Sequence, residues 1–153
     1  VDELVTIKYI VIRDEITGKK KTEANFYNKQ KHGYFISYNE KGKIILKEEY
    51  RFDNLQNERI VYFQNGKVKS KEYYLAGRKV NVWFNYYKNG KLTKTSTYRN
   101  DKKEGLEKAY FESGELKSEG SYLKNKKHGS WKQYNEQGTK IKTEKYSKGV
   151  LKQ

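Results

Sequence analysis

The stretch "YFISYNEKGKIILKEEY", residues 34–50, decides the fold of this chain. It places a β-rich run, a short polar turn ending in glycine, and a second β-rich run, which predicts a β-hairpin. The stretch "VWFNYYKNGKLTKTSTY", residues 82–98, repeats the plan with Asn-Gly in its turn, a strong hairpin signal. The chain has no proline, which favours strands because proline would remove a ladder hydrogen bond.

This hairpin recurs with a period of about 24 residues, the step from Tyr38 to Tyr62, which is typical of a repeat architecture. Three columns of identical residues keep that step through five repeats without an insertion. The columns are Tyr38, Tyr62, Tyr86, Tyr110 and Tyr134; Gly42, Gly66, Gly90, Gly114 and Gly138; and Tyr50, Tyr74, Tyr98, Tyr122 and Tyr146. We therefore predict one continuous domain made of a degenerate N-terminal repeat and five further repeats. Their predicted ranges are 1–32, 33–56, 57–80, 81–104, 105–128 and 129–153.

The segments between the hairpins are polar, basic and end in glycine, as in "FYNKQKHG" (26–33) and "YLKNKKHG" (122–129). We expect each of them to reverse the chain between repeats. In the middle repeats Asn57 and Asn81 occupy the place of that glycine, and asparagine is the residue next best able to adopt a positive φ. The predicted fold is all-β, an antiparallel meander of repeated β-hairpins that forms an elongated single-layer sheet.

The composition agrees with a thin folded sheet. Only 34% of the 153 residues are hydrophobic, which argues against a thick core, whereas 15% are aromatic, which argues against disorder. The absence of cysteine excludes disulfides and thiolate metal sites. Methionine is absent even from position 1, which suggests either a leader peptide removed from a secreted or cell-envelope protein, or a shortened chain.

Three stretches resemble the bacterial MORN variant repeat, whose pattern runs G-x-W-x-x-Y-x-x-x-G-K-L, then tyrosine, then a basic turn ending in glycine. They are "GYFISYNEKGKIILKEEY" (33–50), "EKAYFESGELKSEGSYLKNKKHG" (107–129) and "GSWKQYNEQGTKIKTEKY" (129–146). The second repeat departs from this pattern with Asn57, Glu58 and Arg59. The resemblance implies a binding role: such proteins are often catalogued as YwqK-type antitoxins, and eukaryotic relatives are linked to membrane-proximal scaffolding and phosphoinositide contact.

The sequence offers little for catalysis. His32 and His128 occupy equivalent positions just before a connector glycine, so we expect them to serve the turn. Adjacent acids such as Glu48 and Glu49 point to opposite faces of a strand and cannot act together. We predict that the protein is not an enzyme and needs no metal or cofactor.

Two surfaces are candidates for binding. The first is an aromatic face for a protein partner, since tyrosine and tryptophan anchor many interfaces; the alternative is that these rings form the core of the sheet. Its residues are Trp83, Trp131, Tyr86 and Tyr110. The second is an anion-binding edge at the connectors; the alternative is that lysines there only prevent edge-to-edge aggregation. Its residues are Arg78, Lys79, Lys102, Lys103, Lys126 and Lys127.

The charge decides which function is predicted. Lysine and arginine number 34 against 19 acids, a formal net charge of +15, which attracts acidic partners. We predict a scaffold for protein–protein interaction with an acidic partner. The alternatives are an antitoxin that neutralises a cognate toxin, and binding of anionic lipid or another polyanion through the lysine-rich edge. The exposed edge strands also allow a homodimer.

Overall fold

The computed structural model describes residues 4–152, which form fifteen strands joined by short turns. These residues divide into two compact units, 4–78 and 79–152. The strands of the first unit are β1 (Ile7–Arg13), β2 (Lys20–Tyr27), β3 (Gln30–Tyr38), β4 (Ile44–Arg51), β5 (Asn54–Leu55), β6 (Asn57–Tyr62) and β7 (Val68–Leu75), and the short strand β8 (Arg78–Lys79) spans the division. Those of the second unit are β9 (Asn81–Tyr86), β10 (Leu92–Arg99), β11 (Lys102–Tyr110), β12 (Leu116–Leu123), β13 (Lys126–Tyr134), β14 (Lys140–Ser147) and β15 (Val150–Lys152).

Each unit is an antiparallel meander of hairpins. In the first unit the strands pair in the order β1-β2-β3-β4-β6-β7, with β5 beside β4. In the second unit β9 to β15 pair in chain order. The predicted all-β fold of repeated hairpins in one layer is confirmed. Within residues 4–152 no helix is long and apolar enough to cross a membrane. The boundaries predicted for the individual repeats stay a prediction.

The hairpin tips of the five repeats share one backbone geometry. In the first tip Gly42 N–H donates to Asn39 O and Asn39 N–H donates to Lys43 O, both at 2.9 Å, and the other four tips repeat these two bonds. The tip glycines have φ between 76° and 101°, a left-handed conformation in which any other side chain is strained. This conformation explains why glycine recurs at the tip in every repeat.

The connector turns reverse the chain through two residues that both have positive φ, the geometry of a type I′ turn. The turns are 28–29, 52–53, 76–77, 100–101, 124–125 and 148–149. Successive connectors are also tied to each other. Asn125 N–H donates to Lys103 O at 3.0 Å, and the Asn125 side-chain oxygen accepts the Lys103 N–H at 2.7 Å. Asp53 and Lys31 make the same two bonds, so side chain and backbone together fix the spacing of the connectors.

The glycine that ends each basic phrase has a different role from the one expected. Gly33, Gly105 and Gly129 do have positive φ, and Asn57 and Asn81 share it with φ of 60°, so the exchange of asparagine for glycine is confirmed. These residues lie in strands, after the reversal is complete. At Gly33 and its equivalents the pairing with the preceding strand is irregular, which marks a β-bulge. The turn itself lies earlier in the phrase, at residues 28–29 in the first connector.

The buried side chains lie on one side of the sheet in each unit, which we call face A; the opposite side is face B. The buried residues of the part of the chain described are Ala24, Ser70, Trp83, Ser96, Gly120 and Trp131. In the cross-strand row of face A that contains most of these residues, which we call the central row, each large ring lies beside a small residue on one side. Phe35 pairs with Ala24, and Trp83 pairs with Ser96. A single layer thus builds its core by fitting each ring against a small neighbour.

The second repeat uses charge where the others use a ring. Arg59 comes one repeat period after Phe35 and takes the equivalent place in the central row of face A. It lies between two carboxylates, 2.7 Å from Glu48 and 2.9 Å from Glu72. The hydroxyls of Tyr50 and Tyr74 donate to the same two carboxylates, at 3.0 and 3.1 Å. Burial and the bond to Glu48 raise the pKa of Tyr50 to about 12. In this repeat, which departs from the sequence pattern, an ion triad of Arg59, Glu48 and Glu72 therefore replaces the aromatic contact.

Candidate interaction surfaces

The two tryptophans of the predicted aromatic face lie in the core row of face A. Trp83 is 9% exposed and Trp131 is 7% exposed. The ring centroid of Trp83 lies 4.6 Å from that of Tyr98, and Trp131 meets Tyr122 edge-on at 5.2 Å. The Trp131 indole N–H donates to Ser121 O at 3.1 Å. These indoles hold the sheet together and offer little surface to a partner.

The two tyrosines of the same prediction lie on face B. Tyr86 follows Trp83 by three residues in β9, and an odd separation along a strand places two side chains on opposite faces. Tyr110 follows Glu107 by three residues in β11, and Glu107 lies beside Ser96 on face A. The structure therefore does not bring the four residues together on one face. A role in partner binding stays a prediction for Tyr86 and Tyr110, which are half-buried.

The predicted basic edge separates into inner and outer cations. The inner lysines turn back over rings of face A: Lys127 Nζ lies 4.4 Å from the ring centre of Trp131 and 4.8 Å from that of Tyr146. Lys79 covers Trp83 at 4.7 Å in the same way, and Lys31 covers Phe35 at 4.9 Å. Ammonium groups placed over ring faces stabilise the fold by cation–π attraction. The inner lysines are thus already engaged within the sheet.

Lys103 is the inner lysine of the repeat in which Glu107 takes the place that Trp83 and Trp131 have in the neighbouring repeats. Its ammonium lies 4.8 Å from the ring centre of Tyr122 and 2.5 Å from a carboxylate oxygen of Glu107. Burial is the largest influence on Lys103 and lowers its pKa, but the hydrogen bond to Glu107 and the attraction of the nearby Glu107, Tyr122 and Tyr98 together raise the pKa overall. The Glu107 carboxylate also accepts the Ser96 hydroxyl at 2.7 Å. Each inner lysine contacts the residue four positions later in the chain, which is a ring for three of them and a carboxylate for Lys103. This spacing is visible in the sequence.

The outer cations of the predicted edge point into solvent. Arg78, Lys102 and Lys126 are exposed, and none of them forms an ion pair within residues 4–152. Lys124 is exposed as well, although its φ of 49° is unfavourable for a side chain with a Cβ. Of the six residues predicted for this edge, the outer three have the exposure that an anion-binding role needs.

Face B holds carboxylates in a way that sequence analysis missed. The Tyr38 hydroxyl donates to Glu23 at 2.6 Å, and the Tyr134 hydroxyl donates to Glu119 at 3.0 Å. Lys132 approaches the Glu119 carboxylate at 3.4 Å. Burial raises the pKa of Glu119, but the bonds from Tyr134 and Lys132 bring it below its ordinary value. A sequence signal for these pairs does exist, since each glutamate precedes the tyrosine that binds it by fifteen residues.

Neither histidine lies in a turn, contrary to expectation. His32 is in β3, with its ring centre 4.7 Å from that of Phe52 and 5.7 Å from that of Tyr27. His128 is exposed in β13. In the part of the chain that the structure describes, no three histidine or acidic residues are grouped so that they could hold a metal ion.

Comparison with known proteins identifies the repeat. A family model described as the MORN repeat variant matches four segments, 31–51, 55–76, 79–100 and 103–124, each of which begins one hairpin period after the one before. No curated protein matches the chain. Repeats of this type generally mediate protein or membrane-lipid interactions, and the proteins that carry them are typically non-catalytic binding or scaffold proteins. With most of its length matched in the period of its own hairpins, this chain belongs to the MORN repeat variant family.

Proposed function

We propose that this protein is a non-catalytic scaffold whose second unit binds an acidic protein partner. The observation that carries this function is the distribution of charge. Residues 79–153 hold 18 lysines and arginines against 8 acids, a net charge of +10 out of the +15 of the whole chain. Long-range attraction to acidic surfaces is therefore concentrated in this unit.

Three acids of the second unit pair with lysines within the sheet, whereas many lysines of the unit form no ion pair. Glu107, Glu119 and Glu144 each bond to a lysine of the same unit. In contrast, a set of exposed lysines forms no ion pair within the described part of the unit: Lys88, Lys102, Lys117, Lys124, Lys126, Lys140, Lys145 and Lys148. Because these three carboxylates are paired internally and basic residues outnumber acids 18 to 8, the exposed surface of the unit is strongly positive.

Binding of a labelled glutamate-rich peptide, measured by fluorescence anisotropy beside a glutamine-rich peptide of equal length, tests this function. We expect at least tenfold tighter binding of the glutamate peptide, weakening as salt is raised from 50 to 200 mM because exposed charges are screened. Equal binding of the two peptides would contradict the proposal. If a captured partner is lethal when expressed alone and harmless with this protein, the scaffold acts as an antitoxin.

Binding of an anionic membrane is a second candidate, because the outer cations Lys102 and Lys126 are exposed beside the connector turns of the second unit. Lysines near a lipid surface contribute about 1 kcal/mol each. Cosedimentation with phosphatidylserine vesicles should fall when Lys102 and Lys126 are changed to glutamine, while the same change at Lys117 and Lys145 provides the control. Equal loss of vesicle binding in both double variants would show that the lysines beside the connector turns have no special role in membrane binding.

A further inference from the structure

Face B contains a repeated arrangement for holding a carboxylate. In the second unit Glu119 pairs across strands with Lys132, and Tyr134 completes the arrangement two residues later. In the first unit Glu23 and Tyr38 stand in the same relation, with the Tyr38 hydroxyl donating to the carboxylate. The same construction of hydroxyl and carboxylate therefore occurs in two separate repeats.

One repeat before Glu119, the chain keeps the cation and the hydroxyl but lacks the carboxylate. A step back of one repeat period from Glu119, Lys132 and Tyr134 leads to Thr95, Lys108 and Tyr110. The register is the same, since Thr95 pairs with Lys108 between β10 and β11 as Glu119 pairs with Lys132 between β12 and β13.

An acid does lie beside this position, since Glu119 pairs with Lys108 between β11 and β12. Across residues 4–152, no hydrogen bond or ion pair joins the Tyr110 hydroxyl or the Lys108 ammonium to an acid. Lys108 lies near enough to Glu119 to lower its pKa, but the Glu119 carboxylate is engaged by Tyr134 and Lys132. All three residues of the position are half-buried, so each side chain keeps part of its surface in solvent.

We propose that Thr95, Lys108 and Tyr110 form a subsite for a carboxylate supplied by the partner, from a glutamate or aspartate side chain. This inference rests on the proposed function and names where an acidic partner is recognised. The threonine leaves room where a glutamate stands one repeat later, and the lysine and the tyrosine supply one charged and one neutral donor for a carboxylate. The positive charge of the unit complements such a partner.

The most direct test places a carboxylate of the chain itself in the subsite, where it competes with the carboxylate of the partner. Thr95→Glu supplies an internal carboxylate at the position that Glu119 occupies in the next repeat. Ser130→Glu is the matched control, because Ser130 is exposed in β13, pairs with Lys145 and undergoes the same change of charge. We expect Thr95→Glu to weaken binding of the labelled glutamate-rich peptide at least fivefold, and Ser130→Glu to weaken it less than twofold.

A second variant removes one donor without adding charge. Tyr110→Phe deletes only the hydroxyl and should weaken peptide binding about three- to tenfold, the usual range for one lost hydrogen bond. Thermal melts of all three variants check that each is folded. If Thr95→Glu does not fold, Tyr110→Phe alone decides, and wild-type affinity in that variant would overturn the subsite.

The outcomes separate the subsite from the proposed function. If the wild-type protein does not prefer the glutamate peptide, the proposed function fails and the subsite fails with it. If it does, but Thr95→Glu and Ser130→Glu lose affinity equally, the acidic partner stands and the subsite is wrong. Inorganic polyphosphate serves as the second probe: a Thr95→Glu loss as large for polyphosphate as for the peptide would overturn the assignment to carboxylates.

Discussion

The indole of Trp131 lies directly against Gly120, so that a Cβ added at Gly120 would stand 2.2 Å from Cδ2 of the ring. One repeat earlier the equivalent position is Ser96, which is 2% exposed and pairs with Trp83. A large ring in a one-layer sheet needs a small residue beside it, because residues 4–152 form no second layer that could accommodate a displaced side chain. The glycine is thus selected for space, since its φ lies outside the left-handed range.

Replacement of Gly120 by alanine should destabilise the second unit. The added methyl group forces the Trp131 ring out of its position, and overpacking of this kind costs about 1–3 kcal/mol. Chemical denaturation followed by tryptophan fluorescence measures the free energy of unfolding. Ser118→Ala, in the same strand, is the control and should change little. Equal stability of Gly120→Ala and the wild type would show that the indole has another position available.

The inner and outer lysines of one connector should differ in their effect on stability. Lys127→Met removes the ammonium over Trp131 and Tyr146, and we expect a loss of about 1 kcal/mol in the free energy of unfolding. Lys126→Met, at the exposed neighbour, should stay within about 0.5 kcal/mol of the wild type. Urea denaturation at constant salt compares the two variants. Similar losses in both would mean that the ring contacts contribute nothing.

Arg59→Ala should destabilise the first unit, because it leaves the carboxylates of Glu48 and Glu72 on one face without their shared cation. The Arg59 side chain keeps 26% of its surface exposed, so we expect a loss of about 2 kcal/mol, below the roughly 3–5 kcal/mol of a fully buried pair. Arg51→Ala removes an exposed arginine at the end of β4 and is the matched control. Urea denaturation that found both variants equally stable would contradict the role of the triad.

Stability of the first unit should fall in acid through Glu23. Hydrogen bonds from Lys20, Tyr38 and Tyr9 lower the pKa of its carboxyl from 4.5 to about 2. Because the pKa is lower in the folded state, the contribution of Glu23 is complete above about pH 4.5 and is lost as the pH falls towards 2. Glu23→Gln should therefore reduce the difference in unfolding free energy between pH 6 and pH 3. An unchanged pH profile would show that the carboxylate is not held in this way.

Much of the fold was readable from the sequence because its signals are local and repeated. The tip glycines and the asparagines at 57 and 81 report backbone conformation directly, and their positive φ values follow. The four residues predicted for the aromatic face do not share one face, because Trp83 and Tyr86 are an odd number of residues apart in the same strand. The folding of Lys127 over Trp131 was less accessible, since these residues lie on either side of the positive-φ Gly129, where regular alternation is interrupted.

The sequence by itself determined the repeat period of the hairpins, since the residues that favour a turn act on their immediate neighbours and recur once in every repeat. Only the tertiary structure decided which charged groups are engaged within the sheet and which are exposed to solvent. Glu23 meets Tyr38, and Glu119 meets Tyr134, across strands whose register sets the partners. Hydrogen bonds and ion pairs act over a few ångströms in space, so their assignment depends on strand pairing as well as on order along the chain.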